Sequence, residues 1–177
     1  LMNLDAQILF KNALDCISQG NLEAAEALLN KALLANPNND EILRLLSVVA
    51  ALRLDHSKAL ELIDQAILVA PNNGIAHSNK GNILQALGRY EDAISSFDQA
   101  ISLLPDYAEA YNNKGNALQD LKRFDDALAW YDRAIAIEPS YVEAYCNKGN
   151  ALEWLRRHDE AMENFDKATS INPQHTD

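Results

Sequence analysis

Apolar residues recur along this chain at intervals of three and four, the spacing of one helical face. Residues 108–141 show the pattern in full. From Ala108 to Leu121, the positions Tyr111, Gly115, Leu118 and Leu121 share a face. Lys122, Arg123 and the aromatic Phe124 are expected to form a turn. Ala127, Leu128, Tyr131, Ala134, Ile135 and Ile137 then mark a second helix. Pro139 stops it, because proline lacks an amide N–H and disfavours helix at the residue before it. No stretch alternates with the period of a strand; Val48 and Val49 sit inside a helical pattern. The expected fold class is all-α.

The two-helix pattern returns at a fixed interval. Pro37, Pro71, Pro105, Pro139 and Pro173 are the chain's 5 prolines, and each gap is 34 residues. Two alanine columns keep the same period: Ala25, Ala59, Ala93, Ala127 and Ala161, and Ala32, Ala66, Ala100, Ala134 and Ala168. Gly81, Gly115 and Gly149 add a glycine column in the last three repeats. Segments 74–107 and 108–141 match at 16 of 34 positions, and 108–141 and 142–175 at 17 of 34. About two or three matches would arise from composition alone. The frame is therefore 6–39, 40–73, 74–107, 108–141 and 142–175, one array within 1–177. A period of this length predicts a solenoid. The small columns allow helix backbones to approach, and Leu29, Ile63, Phe97, Tyr131 and Phe165 form a large-residue column that fills the space beside them. Gly20 and Gly88 fall at the turn inside their repeats.

These columns resemble the tetratricopeptide repeat family over residues 6–175. The resemblance implies five helix–turn–helix repeats stacked as an α-solenoid with a right-handed superhelix. It also implies a concave groove, lined by the first helix of each repeat, that holds an extended peptide or a partner's helix. The first two repeats depart from the family pattern. Ala13 and Ser47 replace the glycine, and Leu9 and Leu43 stand where Tyr111 and Tyr145 stand.

The groove-facing positions implied by the resemblance are rich in asparagine. They are Asn79, Asn82 and Gln85, then Asn112, Asn113, Asn116 and Gln119, then Asn147, Asn150 and Glu153. Asn79/Asn82, Asn113/Asn116 and Asn147/Asn150 are pairs three apart, each on one face. Asparagine is a poor helix former, so such a ladder needs a reason. An amide offers an acceptor and two donors, and so can bracket a peptide backbone. The same amides could brace neighbouring helices or be inherited from duplication. Under the binding reading, replacing Asn113 and Asn147 by Ala leaves stability unchanged or slightly raised. A similar asparagine line is known in the repeat domain of O-linked N-acetylglucosamine transferase. The carboxylate clamp of chaperone-tail readers is not matched: Asn82 and Asn113 fit it, but Ser78, Glu143 and Asn147 stand where it has basic residues.

The same face of the first two repeats reads Phe10, Lys11, Leu14, Arg44, Leu45, Val48 and Leu52. It is apolar with two positive charges. Burial by neighbouring helices, an apolar pocket for a ligand anchor, and a dock for another chain all fit it.

Charge narrows the partners. The 177 residues carry 15 Lys and Arg against 26 Asp and Glu, a formal net charge of −11 spread almost evenly over the repeats. That balance argues against a nucleic-acid binder. No apolar run approaches the ~18 residues of a membrane span, and no leader peptide is expected. Leu1 before Met2 reads as a cloning remnant. Cys16 and Cys146 are expected to be reduced thiols in a cytoplasmic protein. His56, His77, His158 and His175 lack metal-ligand or catalytic spacing. His56 and His158 share a turn column with Tyr90 and Phe124, and His77 shares one with Tyr111 and Tyr145, so packing accounts for them. Lys80, Lys114 and Lys148 are expected to bury their stems and pair with acids. The last helix, 159–171, carries Met162, Phe165, Ala168 and Ile171, and no capping helix is expected after it. That face is expected to meet another copy or to mark a truncation. The combined expectation is a non-catalytic scaffold for a protein or peptide partner, without cofactor or metal. A self-assembling module and a substrate-recognition region of a larger glycosyltransferase-like enzyme are the alternatives.

Overall fold

The computed structural model describes residues 3–172; Leu1, Met2, Pro173, His175 and Asp177 lie outside the described residues. Among the described residues there are ten helices and no strand. They are α1 (Leu4–Ser18), α2 (Leu22–Ala35), α3 (Asp40–Leu52), α4 (His56–Val69), α5 (Gly74–Ala86), α6 (Tyr90–Leu103), α7 (Ala108–Asp120), α8 (Phe124–Ile137), α9 (Val142–Trp154) and α10 (His158–Ile171). The chain divides into an N-terminal half, Leu1–Leu87, and a C-terminal half, Gly88–Asp177. In the N-terminal half α1 packs on α2 and α3 on α4, while α2 meets α3, α4 meets α5 and α3 also touches α5. In the C-terminal half α7 packs on α8 and α9 on α10, with α6 against α7, α8 against α9 and α7 touching α9.

One backbone device closes the first helix of every repeat. Gly20, Leu54, Gly88, Lys122 and Arg156 share a column and have φ of 74°, 64°, 72°, 59° and 60°. The next amide then reaches back five residues, as from Asn21 to the Cys16 carbonyl (2.8 Å) and from Arg123 to the Leu118 carbonyl (2.9 Å). This left-handed stop satisfies carbonyls that a helix end leaves open. Glycine adopts it freely, and the leucine, lysine and arginine do so under strain. Phe124 is therefore not part of the turn, as its neighbours suggested, but the first residue of α8. At the other end, Pro37, Pro71, Pro105 and Pro139 each lie two residues beyond the last residue of a helix.

The small and large columns meet as volume requires. A Cβ on Gly115 would lie 2.5 Å from the Tyr131 ring, and one on Gly149 would lie 2.5 Å from the Phe165 ring. Tyr131 is fully buried by this fit. In the first repeat Ala13 and Leu29 share one buried cluster, a larger residue facing a smaller one. Both alanine columns are buried throughout. Lys80 pairs with Asp64 (2.8 Å), Lys148 pairs with Asp132 (2.6 Å), and Lys114 pairs with Asp98 while lying over the Trp130 ring. His77 Nε2–H donates to the Pro71 carbonyl at 2.9 Å, and the Tyr111 hydroxyl donates to the Pro105 carbonyl at 3.0 Å. Packing thus explains that column, as its sequence suggested.

Candidate functional site

The asparagines of the C-terminal half face one another. Asn112 is 4% exposed; its Oδ1 accepts from Asn147 Nδ2 (3.0 Å), and its Nδ2 donates to Asn113 Oδ1 (3.2 Å). The first of these bonds ties α7 to α9, and the second lies within α7. The Tyr131 hydroxyl lies 2.8 Å from Asn116 Oδ1 and 3.1 Å from Gln119 Oε1, tying α8 to α7. Burial, with Asp120 adding to it, holds the Tyr131 phenol far above its ordinary range, so it keeps its proton to donate. The Tyr141 phenol is pushed up to about 12, first by burial and then by Glu109, Glu143 and Glu138, against a hydrogen bond with Asn112. Asn150 is exposed and has no such bond among the described residues.

The N-terminal half arranges its groove-facing set differently. Phe10 is half-buried against the cluster of α1, α2 and α3, while Lys11 is exposed and Arg44 half-exposed. Among the described residues neither cation has an acidic partner. Leu45 is buried at 7% exposure, but Leu52 on the same helix is 54% exposed. Where the ends of α3 and α5 approach the start of α4 there is a cleft of about 260 Å³. Its wall is Val48, Ala51 and Leu52 from α3, His56 from α4, and Asn79, Asn82, Ile83 and Ala86 from α5. The cleft thus unites two sets that the sequence presents separately, the apolar face of the second repeat and the first asparagine pair of the third. Asn79 is half-exposed, with no hydrogen bond on its amide among the described residues. His56 Nδ1 is buried without a partner, whereas His77 holds a carbonyl and His158 lies 3.0 Å from Glu153. Ala51, Ile83 and Ala86 escaped the sequence reading. Ala86 could have been found, since it is one turn beyond Asn82 on the same face.

No cluster of three or more His, Cys, Asp or Glu that could hold a metal occurs among the described residues. No helix among them is long and apolar enough to cross a membrane. Cys16 and Cys146 are separate half-buried thiols.

Models of the tetratricopeptide repeat match residues 17–83, 78–142 and 142–175. The chain belongs to the tetratricopeptide repeat family. Solved structures align along nearly the whole length of this chain. A crystal structure of MamA is 26% identical, covers 92% of this chain and 95% of its own, and superposes with a TM-score of 0.78. PilW, described as a widely conserved type IV pilus biogenesis factor, is 23% identical over 96% of this chain and 78% of its own, with a TM-score of 0.89. YrrB, described as a tetratricopeptide protein with an unusual peptide-binding site, is 24% identical over 97% and 88%, with a TM-score of 0.70. No curated protein matches the chain.

Proposed function

We propose that this tetratricopeptide protein is a non-catalytic, cytoplasmic scaffold of five repeats in a right-handed superhelix, whose groove binds an extended segment of a partner protein. One apolar side chain of that segment seats in the cleft between α3 and α5, and the Asn79 and Asn82 amides hold its backbone. The observation that carries this reading is the cleft itself: an apolar wall with amides at its rim, on a first-helix face. Small clefts that combine an apolar lining with a few placed polar groups are where ligands bind. The family likeness supports it, as does the peptide-binding site named for YrrB. Phe10, Lys11 and Arg44 extend the site along α1 and α3. Asn112, Asn113, Asn116 and Asn147 contribute by stiffening the C-terminal half, while Asn150 keeps its amide for the partner.

The test is selection from a random peptide display library on the immobilised protein. Enriched peptides should bind the wild type, and Asn79→Ala should weaken them about three- to tenfold, the value of one or two hydrogen bonds. A library that yields no binder, or binders that ignore every change in the cleft, would remove the reading. A second reading, self-association through α10, is favoured by Met162 and Ile171, which are 63% and 37% exposed. Light scattering over a concentration series decides it: a constant monomer mass excludes it.

A further inference from the structure

Resting on the peptide-binding reading above, we infer that the cleft between α3 and α5 is a slot for an aromatic side chain of the partner segment, with acidic residues of that segment beside it. The ground is a counterpart inside the same chain. Two repeats further on, His56 becomes Phe124 and Ala86 becomes Trp154. There the Trp154 indole lies parallel to the Phe124 ring, with centroids 5.7 Å apart and planes 9° apart. That is the offset-stacked range for aromatic pairs. In the second and third repeats the lower ring is present as the His56 imidazole, but the upper ring is missing, because Ala86 stops at Cβ. The space is left as the cleft.

The walls agree. Val48 and Leu52 stand where the later repeats carry Asn116 and Asp120. A ring entering the cleft would therefore meet aliphatic side chains at its edges and an imidazole on its face. At about 260 Å³ the cleft is smaller than the roughly 300–1,000 Å³ of a site for a whole drug-sized molecule, so it suits one side chain. Packing places the His56 ring in its column but leaves its Nδ1 buried with no partner among the described residues, unlike the bonded rings of His77 and His158.

Charge sets the neighbours of the ring. Arg44 lies one turn before Val48 on the same face of α3, and Lys11 of α1 lies in the column of Leu45 and Asn79. Neither has an acidic partner among the described residues. Screening confines their influence to about 10 Å at moderate salt, so they select acidic residues close to the aromatic one even on a chain of net charge −11.

The experiment pans a random 12-residue display library and measures affinities of the enriched peptides as synthetic, end-blocked probes. We expect a Trp, Phe or Tyr in every enriched family, with Asp or Glu nearby. Exchanging that ring for Leu should weaken binding at least tenfold. Ala86→Trp and Leu52→Asp each install what the later repeats already carry, so the fold should accept them, as circular dichroism melts will verify. Each should also weaken binding at least tenfold, and if one variant misfolds the other decides. Trp154→Ala should leave the affinity unchanged, and Lys11→Ala with Arg44→Ala should weaken it and flatten its salt dependence. Aliphatic anchors that are lost with Leu52→Asp would overturn the aromatic slot and leave the peptide reading standing. Aromatic peptides without acidic neighbours, or indifferent to Lys11 and Arg44, would overturn the acidic element. Binding that ignores Ala86→Trp and Leu52→Asp alike would overturn slot and peptide reading together.

Discussion

The two halves build the same helix pairs by different means. In the N-terminal half each helix begins at a side chain that accepts a hydrogen bond from the third amide on: Asn3, Asn21, Asn39, Asp55 and Asn73. In the C-terminal half the same positions hold Arg89, Tyr107, Arg123, Tyr141 and Arg157, and none caps through its side chain. There the arginines reach forward instead, to Asp92, Asp126 and Glu160 in the first helical turn. The acids of that turn suit the positive end of the helix dipole. The interiors differ too. Leu29 and Ile63 fill the large column of the first half, while in the second Tyr131 and Phe165 lie against glycines. Six basic residues and nine acidic ones fall in the first half, nine and seventeen in the second. The second half turns its groove amides on itself except at Asn150, through the links from Asn147 to Asn112 and from Tyr131 to Asn116. The first half leaves Asn79 without a hydrogen bond among the described residues, beside an apolar cleft. The second half is braced at Asn147 where the first leaves Asn79 beside the cleft, and that asymmetry supports the proposed binding site.

The sharpest way to break this comparison is Gly115→Ala. Overpacking against the immobile Tyr131 ring costs about 1–3 kcal/mol, more than the roughly 1 kcal/mol that alanine gains in helix propensity. Thermal unfolding should shift down, and further than for Gly149→Ala, whose neighbour Phe165 is only half-buried. Adding Tyr131→Leu, which copies the Ala13 and Leu29 combination, should recover part of the loss. No recovery would mean that the two halves do not share one packing rule.

Next comes Asn147→Ala. The binding reading expects no loss of stability, but the bracing alternative fits this residue, because Asn112 Oδ1 is buried and accepts from Asn147. An unsatisfied buried acceptor costs about 1–3 kcal/mol, against a helix gain of up to roughly 0.7 kcal/mol. Asn150→Ala, at an exposed and unbonded amide, should leave the melting temperature unchanged or raise it. Equal behaviour of the two variants would remove the distinction between braced and open asparagines.

The caps give a smaller contrast. Asn39→Ala should cost about 1 kcal/mol in chemical denaturation, the usual value of a lost helix cap. Arg123→Ala removes an exposed ion pair and should cost under about 0.5 kcal/mol. The turns work in the opposite direction. Lys122→Gly relieves a left-handed residue and should stabilise by about 1 kcal/mol, whereas the same column in the first repeat already holds Gly20.

The smallest effect is electrostatic. The Lys58 ammonium, hydrogen-bonded to Glu26, holds that carboxyl below its ordinary value of 4.5, with Arg53 assisting. A depressed carboxylate contributes stability above its unfolded value and loses it as pH falls through the folded one. The difference in melting temperature between the wild type and Glu26→Gln should therefore be constant above about pH 5 and vanish in more acid solution. A difference that persists there would assign the effect to packing.

Much of this molecule could be read from the order of its residues. Five prolines and two alanine columns locate the helix ends and the buried stripe, because a missing N–H and a missing side chain act locally, whatever surrounds them. The lysine column and its acids were legible for the same reason: the 34-residue period holds their spacing constant. The N-terminal caps, Asn21 and Asn39 among them, are equally local but fall outside the proline, alanine and glycine columns. The fate of each asparagine was not legible. Asn79, Asn113 and Asn147 occupy one column, yet Asn147 reaches a buried Asn112 while Asn79 has no hydrogen bond among the described residues, because Arg44 stands where the equivalent of Asn112 would be. The cleft was hidden likewise. Ala86 is unremarkable in sequence; it matters because tertiary packing sets it beside His56 and Leu52, more than thirty residues away from the latter. Period and composition determine which faces are buried, since helix geometry repeats along the chain. Which polar groups find partners, and where space is left over, depends on distances between side chains of different helices, and those exist only once the helices have packed.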